Sequence, residues 1–207
     1  MHWNLQDVHF LYPPDVFIGS FDNDKMQARH EIQVAEKLGT LMAAVGRETD
    51  PFLAMKKLHI KDQLQFLINN LTAFQLAERL EEALLIIYSR HNAPFSSEGD
   101  PAVWNNLFRL CQQDRLCQLG DPIPSQPTRV YRGSVSGCMR SLSWTPDIMS
   151  ARRFADRWQD SSLGGGEIYQ VDITPSDILI YRKNRHEEEM LLRPQFIETA
   201  EIRLFQP

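Results

Sequence analysis

Cysteine is scarce in this chain of 207 residues: Cys111, Cys117 and Cys138 are an odd number, with no CxxC spacing and no companion histidine pattern. That argues against a disulfide framework and against a bound metal, and favours a reduced intracellular setting. No apolar run approaches the roughly 20 residues of a membrane-spanning helix. The opening Met1-His2-Trp3-Asn4-Leu5-Gln6-Asp7 has neither the basic nor the apolar region of a secretory signal. The expectation is a cytoplasmic protein with no membrane partner, or one delivered into another cell without such a signal.

Excess positive charge is also missing. Residues 1–126 hold 11 Lys/Arg against 16 Asp/Glu, and residues 127–207 hold 11 of each, so the whole net charge of -5 lies in the first part. A domain that wraps nucleic acid by counterion release needs clustered cations, which this balance does not provide. A nucleic acid read locally by an active site is compatible with it. Internal repeats and low-complexity tracts are absent, and Gly164-Gly165-Gly166 is too short for a phosphate-binding glycine motif. With 43% hydrophobic residues, the chain has enough apolar material for one sizeable core or two small ones.

Along the chain, Pro13-Pro14 breaks residues 1–21 into an extended arm. From Asp24 the apolar residues Val34, Ala35, Leu38, Leu41, Met42 and Val45 recur at helical spacing, closed by Gly46. Pro51 opens a short helix to Leu58, and Ile60, Leu64, Leu67 and Leu71 continue the helical period. Thr72-Ala73-Phe74-Gln75 has the form of a capping box, which predicts a fresh helix from Thr72 to Tyr88. A loop from His91 to Gly99 leads to Asp100-Pro101, read as an N-cap and first-turn proline of a helix to Leu119. After Pro122, Pro124 and Pro127 the period becomes strand-like, at Arg129–Arg132, Arg140–Ser143, Glu167–Ile173, Asp177–Tyr181, Glu188–Leu192 and Ile197–Phe205. One helix, from Asp147 to Trp158, interrupts these strands. The fold class is therefore α+β, with a helical region at 1–126 and a strand-rich core at 127–207.

Three pieces of that core carry chemistry: Val130-Tyr131-Arg132-Gly133, Ser143-Trp144-Thr145, and Glu187-Glu188-Glu189 leading into Met190-Leu191-Leu192. A guanidinium suits a pyrophosphate because its fork makes two charge-assisted hydrogen bonds at once. A carboxylate beside a ribose stabilises the positive charge that develops when a base leaves the sugar. If a strand begins at Glu187, that residue and Glu189 share a face, since side chains alternate with period 2.

The order Arg, Ser-x-Thr, Glu-x-Glu resembles the ADP-ribosyltransferase superfamily, in its Arg-Ser-Glu class. Ala151-Arg152-Arg153-Phe154-Ala155 after the hydroxyls and the strand at Glu167–Ile173 stand where relatives carry a helix and a strand. The resemblance covers residues 128–205 and implies a split antiparallel β core. It further implies that NAD, as substrate, is bound by Arg132, Gly133, Ser143, Trp144, Thr145 and Glu189. Catalysis would fall to Glu189 and Glu187 with Arg132 and Ser143, and no metal would be needed. Glu187 points, by resemblance, to an arginine side chain of a protein as acceptor, and Tyr181 to His186 to acceptor choice. Compact members of this kind occur in bacteria and phages as toxins, effectors or modifiers of host proteins. Two features depart from the pattern: an indole stands between the hydroxyls, and only ten residues separate Arg132 from Ser143, which suggests a simple hairpin. Rival readings are an NAD glycohydrolase, with water as acceptor, and a silent interaction module on the same fold.

Overall fold

The computed structural model describes residues 2–90, 101–134, 137–156, 166–184 and 187–206. It has an α+β fold with small antiparallel sheets, and the chain divides into two compact units, Met1–Glu98 and Gly99–Pro207. No described helix is long and apolar enough to cross a membrane.

The first unit is helical. The Asn23 side chain accepts from Met26 N at 3.0 Å, satisfying one of the orphan donors that open α1 (Asp24–Arg47). Of the expected apolar stripe on α1 only Val45 is buried, while Ala35 and Met42 are exposed. Asp50 caps α2 (Pro51–Lys56) by accepting from Phe52 N at 2.8 Å, with Pro51 at the first helical position. Then come α3 (Ile60–Asn69), α4 (Leu71–Leu76) and α5 (Leu80–Arg90), whose Phe66, Leu67, Phe74, Leu84 and Ile87 are fully buried.

A break does fall close to the expected place, at Asn70 between α3 and α4, but the capping box is corrected: Thr72 lies inside α4, and the helix expected from Thr72 to Tyr88 is broken a second time at residues 77–79. There Glu78 adopts φ 55, a left-handed conformation, and Arg79 N donates to Phe74 O at 2.8 Å, closing the helix end. The N-terminal arm lies on these helices. Asp62, 1% exposed, accepts from His9 N at 3.0 Å, Phe10 N at 2.8 Å and the Tyr12 hydroxyl at 2.6 Å, because a buried carboxylate must find donors. Asn4 and Asn70 bond each other's neighbourhood reciprocally, at 2.8 and 2.9 Å, and the Trp3 indole donates to Val45 O at 3.1 Å.

The second unit opens with two helices where one was expected, α6 (Pro101–Arg109) and α7 (Gln113–Leu119). Leu110 N and Cys111 N donate to carbonyls three residues back, which tightens the end of α6 and stops it; the expected cap Asp100 and the loop from His91 lie outside the described residues. The strands are β1 (Thr128–Ser134), β2 (Ser143–Trp144), β3 (Glu167–Ile173), β4 (Ile178–Asn184), β5 (Glu187–Leu192) and β6 (Arg203–Leu204). They form two antiparallel sheets, in the orders β1-β3-β6 and β2-β5-β4.

Three expectations change here. The strand Arg140–Ser143 shortens to Ser143–Trp144. The span from Ile197 to Phe205 begins as helix α9 (Pro194–Thr199), with Pro194 at its first position, and only Arg203–Leu204 is strand. Arg132 and Ser143 do not sit on a hairpin, since β1 and β2 belong to different sheets and meet through a single bridge, Tyr131 to Thr145, with bonds of 2.7 and 2.9 Å.

Helix α8 (Ile148–Ala155) is shorter than the reading to Trp158, which lies outside the described residues. Asp147 caps it, accepting from Met149 N and Ser150 N, both at 3.0 Å; these bonds, the Ser150 hydroxyl foremost, hold its carboxyl below the usual range. The helix is seated on glycine. A Cβ at Gly133 would lie 1.9 Å from Ala151 O, and one at Gly166 would lie 2.1 Å from Ala155 O. No other residue type fits either place without moving main chain.

Candidate functional site

Alternation along β1 puts Val130, Arg132 and Ser134 on the face away from α8, and register sets Arg132 directly across from Tyr169. The Arg132 guanidinium reaches from this sheet to the other. Its Nε donates to Cys138 O at 3.0 Å and its Nη1 to Ser143 O at 2.9 Å. Arg132 thus braces the place where β2 begins.

From Ser143 the chain of contacts continues through side chains. Ser143 pairs with Leu191 of β5, so its hydroxyl shares a face with Glu189, and Oγ donates to Glu189 Oε1 at 2.7 Å. The second carboxylate oxygen, Oε2, accepts from Arg182 Nη2 at 2.5 Å. Arg182 stands opposite Glu189 in the β4–β5 ladder, and the two side chains are 23% and 30% exposed. Arg132, Ser143, Glu189 and Arg182 therefore form one continuous, partly solvent-accessible series across two sheets.

The remaining sequence-predicted residues occupy definite places around it. β5 does begin at Glu187, so Glu187 is on the face of Glu189, two residues away and exposed. Glu188 points to the other face, where it pairs with Lys183 at 2.9 Å. Trp144 also faces away from Ser143; it is 2% exposed and donates its indole N–H to Ser141 O at 2.7 Å. Thr145 is buried, and its Oγ1 accepts from Asp147 N at 3.1 Å, which ties it to the start of α8 rather than to Glu189. Gly133 is where α8 touches β1. Arg185 and His186 lie outside the described residues.

Beside Arg132, Tyr169 donates its one hydroxyl proton to the Glu167 carboxylate, with Gly137 O a more distant second acceptor at 3.2 Å. Burial, and after it the hydrogen bond to Glu167, pushes the Tyr169 phenol up to about 12. It stays a neutral donor over the physiological range. Cys138 N donates to Ser134 Oγ at 3.0 Å in the same patch.

In the sequence Arg182 stands only within the Tyr181 to His186 stretch that resemblance ties to acceptor choice; its contact with Glu189 is not among the expectations. A signal for it existed: the short connection between Asn184 and Glu187 pairs Lys183 with Glu188 and Arg182 with Glu189 once both strands are extended to the turn. Among the described residues, no three or more His, Cys, Asp or Glu side chains are grouped as metal ligands would be. A shallow cavity of about 190 Å³ lies elsewhere in this unit, lined by Arg129, Gln170, Asp172, Phe196, Glu201 and Arg203. It includes neither Arg132, Ser143 nor Glu189, and its charges already answer one another in the Arg129–Asp172 and Arg203–Glu201 pairs. No protein family, curated protein or solved structure was found to match the chain.

Proposed function

We propose that the unit Gly99–Pro207 is a mono-ADP-ribosyltransferase that takes NAD as substrate, releases nicotinamide and passes ADP-ribose to an acceptor side chain, arginine being favoured. The observation that carries this reading is the side-chain link Ser143 Oγ to Glu189 Oε1 at 2.7 Å, with Arg132 bonded to the carbonyl of the same serine. A sequence met by chance would have no reason to bring these three motifs to one place.

The chemistry follows from the residues. When the bond between nicotinamide and ribose breaks, its electrons leave with the base and positive charge remains on the sugar. Glu189, held on one oxygen by Ser143, supplies the negative charge that stabilises that cation. A unit charge about 4 Å away, at the effective dielectric near a protein surface, contributes on the order of 4 kcal/mol. Because Ser143 has already oriented the carboxylate, little of that is lost to reorganisation in the transition state. Exposed Glu187, on the same face, is available to align the acceptor and take its proton.

The split antiparallel core of the superfamily is the fold we infer for β1 to β6. Glu189→Gln should lower transfer of labelled ADP-ribose from NAD about 100-fold or more, while the thermal melt stays within a few degrees of the wild-type protein. Near-full activity in that variant would refute the role of Glu189. Incubation with NAD alone separates the transferase from a hydrolase, since free ADP-ribose at the full turnover rate is the hydrolase's signature.

A further inference from the structure

We propose that Arg182 is an exchangeable counter-ion: it holds Glu189 and gives it up for the diphosphate of an incoming ligand, which leaves the carboxylate unneutralised for the cation. The link to catalysis rests on the transferase reading; the diphosphate site does not. Three observations lead here.

First, the two guanidinium groups of the site are engaged differently. Arg132 directs Nε and Nη1 at main-chain carbonyls, those of Cys138 and Ser143, which belong to the framework joining the sheets. Turning Nη1 toward a ligand would release the start of β2, and turning Nε would release the segment at Cys138. Arg182 instead directs Nη2 at a carboxylate, an acceptor of the same charge class as a phosphate, and its side chain is 23% exposed. A guanidinium makes its strongest paired hydrogen bonds to such oxyanions, and a diphosphate offers more charge and more acceptors than one carboxylate.

Second, Glu189 does not depend on Arg182 alone for its position. Ser143 Oγ holds Oε1 at 2.7 Å, so departure of the guanidinium from Oε2 leaves the carboxylate anchored. Third, with Arg182 in contact the pair presents a dipole rather than a net charge. The attraction of a dipole for a nearby cation falls off faster with distance than that of a single carboxylate, so Glu189 acts at full strength only after the exchange. A ligand carrying a diphosphate would thus switch on the residue that its own reaction requires.

The test is calorimetry with inorganic pyrophosphate at low ionic strength on the full chain, its Glu189→Gln and Arg182→Lys variants, and the Arg182→Ala/Glu189→Gln double variant. Removing the competing carboxylate should tighten pyrophosphate binding about 10-fold in Glu189→Gln, equivalent to about 1.4 kcal/mol. The double variant should lose that gain, and Arg182→Lys should keep part of the wild-type affinity. Equal affinity in wild type and Glu189→Gln, or a gain that survives removal of Arg182, would overturn the proposal. In NAD turnover, Arg182→Ala should raise the apparent KM by a larger factor than it lowers kcat; a pure kcat loss would assign Arg182 to positioning Glu189 and overturn the exchange. Absence of NAD turnover in the wild-type protein, with the pyrophosphate pattern intact, would sink the transferase reading and leave the anion site standing.

Discussion

Asp62 in the first unit and Glu189 in the second are both carboxylates inside folded structure, and each is bonded on both oxygens, yet their partners differ. Asp62, 1% exposed, takes two main-chain N–H groups and a tyrosine hydroxyl from the arm at His9 to Tyr12. Glu189, 30% exposed at its side chain, takes a serine hydroxyl and an arginine guanidinium, each from a different strand. Main-chain donors fix the path of the backbone; side-chain donors at a partly open surface leave the backbone alone and fix the carboxylate itself. The comparison teaches that burial and hydrogen bonding do not mark a functional acid. The kind of partner, and whether solvent can still reach the group, is what separates Asp62 from Glu189.

Substitutions in the two units put this difference to the test. The largest effect is expected at Gly133→Ala in the second unit, where the added Cβ would sit 1.9 Å from Ala151 O. Main chain has to move, and a loss of about 4 kcal/mol or more in unfolding free energy is expected, read from urea titration; a wild-type midpoint would mean that α8 is not seated on β1 as described. Next is Asp62→Ala, which orphans the donors of the arm and should lower stability by about 3 kcal/mol, the scale of bonds to a charged acceptor. Its effect on the proposed ADP-ribose transfer, compared at a temperature where the variant is folded, should be slight. That is the opposite of the pattern expected for Glu189→Gln, and matching patterns in the two variants would dissolve the distinction.

The smallest effect concerns alkaline pH. The Tyr169 phenol, raised from an ordinary value near 10 to about 12 by burial and then by Glu167, binds its proton more tightly folded than unfolded. Its contribution to stability is therefore complete below about pH 10 and is lost as pH rises toward about 12. Urea midpoints taken at pH 9 and pH 11 should fall less for Tyr169→Phe than for the wild-type protein. An identical fall in both would place the alkaline loss elsewhere, with Tyr181, also raised by burial, the next phenol to test.

Local chemistry made much of the fold legible. Asp24 and Pro51 opened helices where expected, and Glu167–Ile173 is a strand with the bounds read from its alternation. Misreadings came where a neighbour in space overruled a neighbour in sequence. Thr72 had the spacing of a cap, but Asn70, bonded to Asn4 O and Phe66 O, fills the junction before α4, and the chain breaks again at Glu78, whose left-handed backbone has no sequence signature in a glutamate. Ile197 sat in an apolar run read as strand, although Pro194 is a good opening for the helix that forms there. In the candidate site Arg132, Ser143, Glu187 and Glu189 could be named only through the resemblance that the order of their motifs carries. The places of Trp144 and Thr145 could not, because which face a two-residue strand presents depends on the register of β5, and the contact of Arg182 with Glu189 came only with the β4–β5 pairing.

The brevity of β2 has a mechanical consequence. Ser143 and Trp144 belong to one sheet, and the very next residue, Thr145, is bonded on both sides to Tyr131 of the other. Three consecutive residues thus act as a rivet through two plates, and neither plate can slide past the other without shearing it. Whatever force tilts one sheet would be delivered directly to the hydroxyl that holds Glu189.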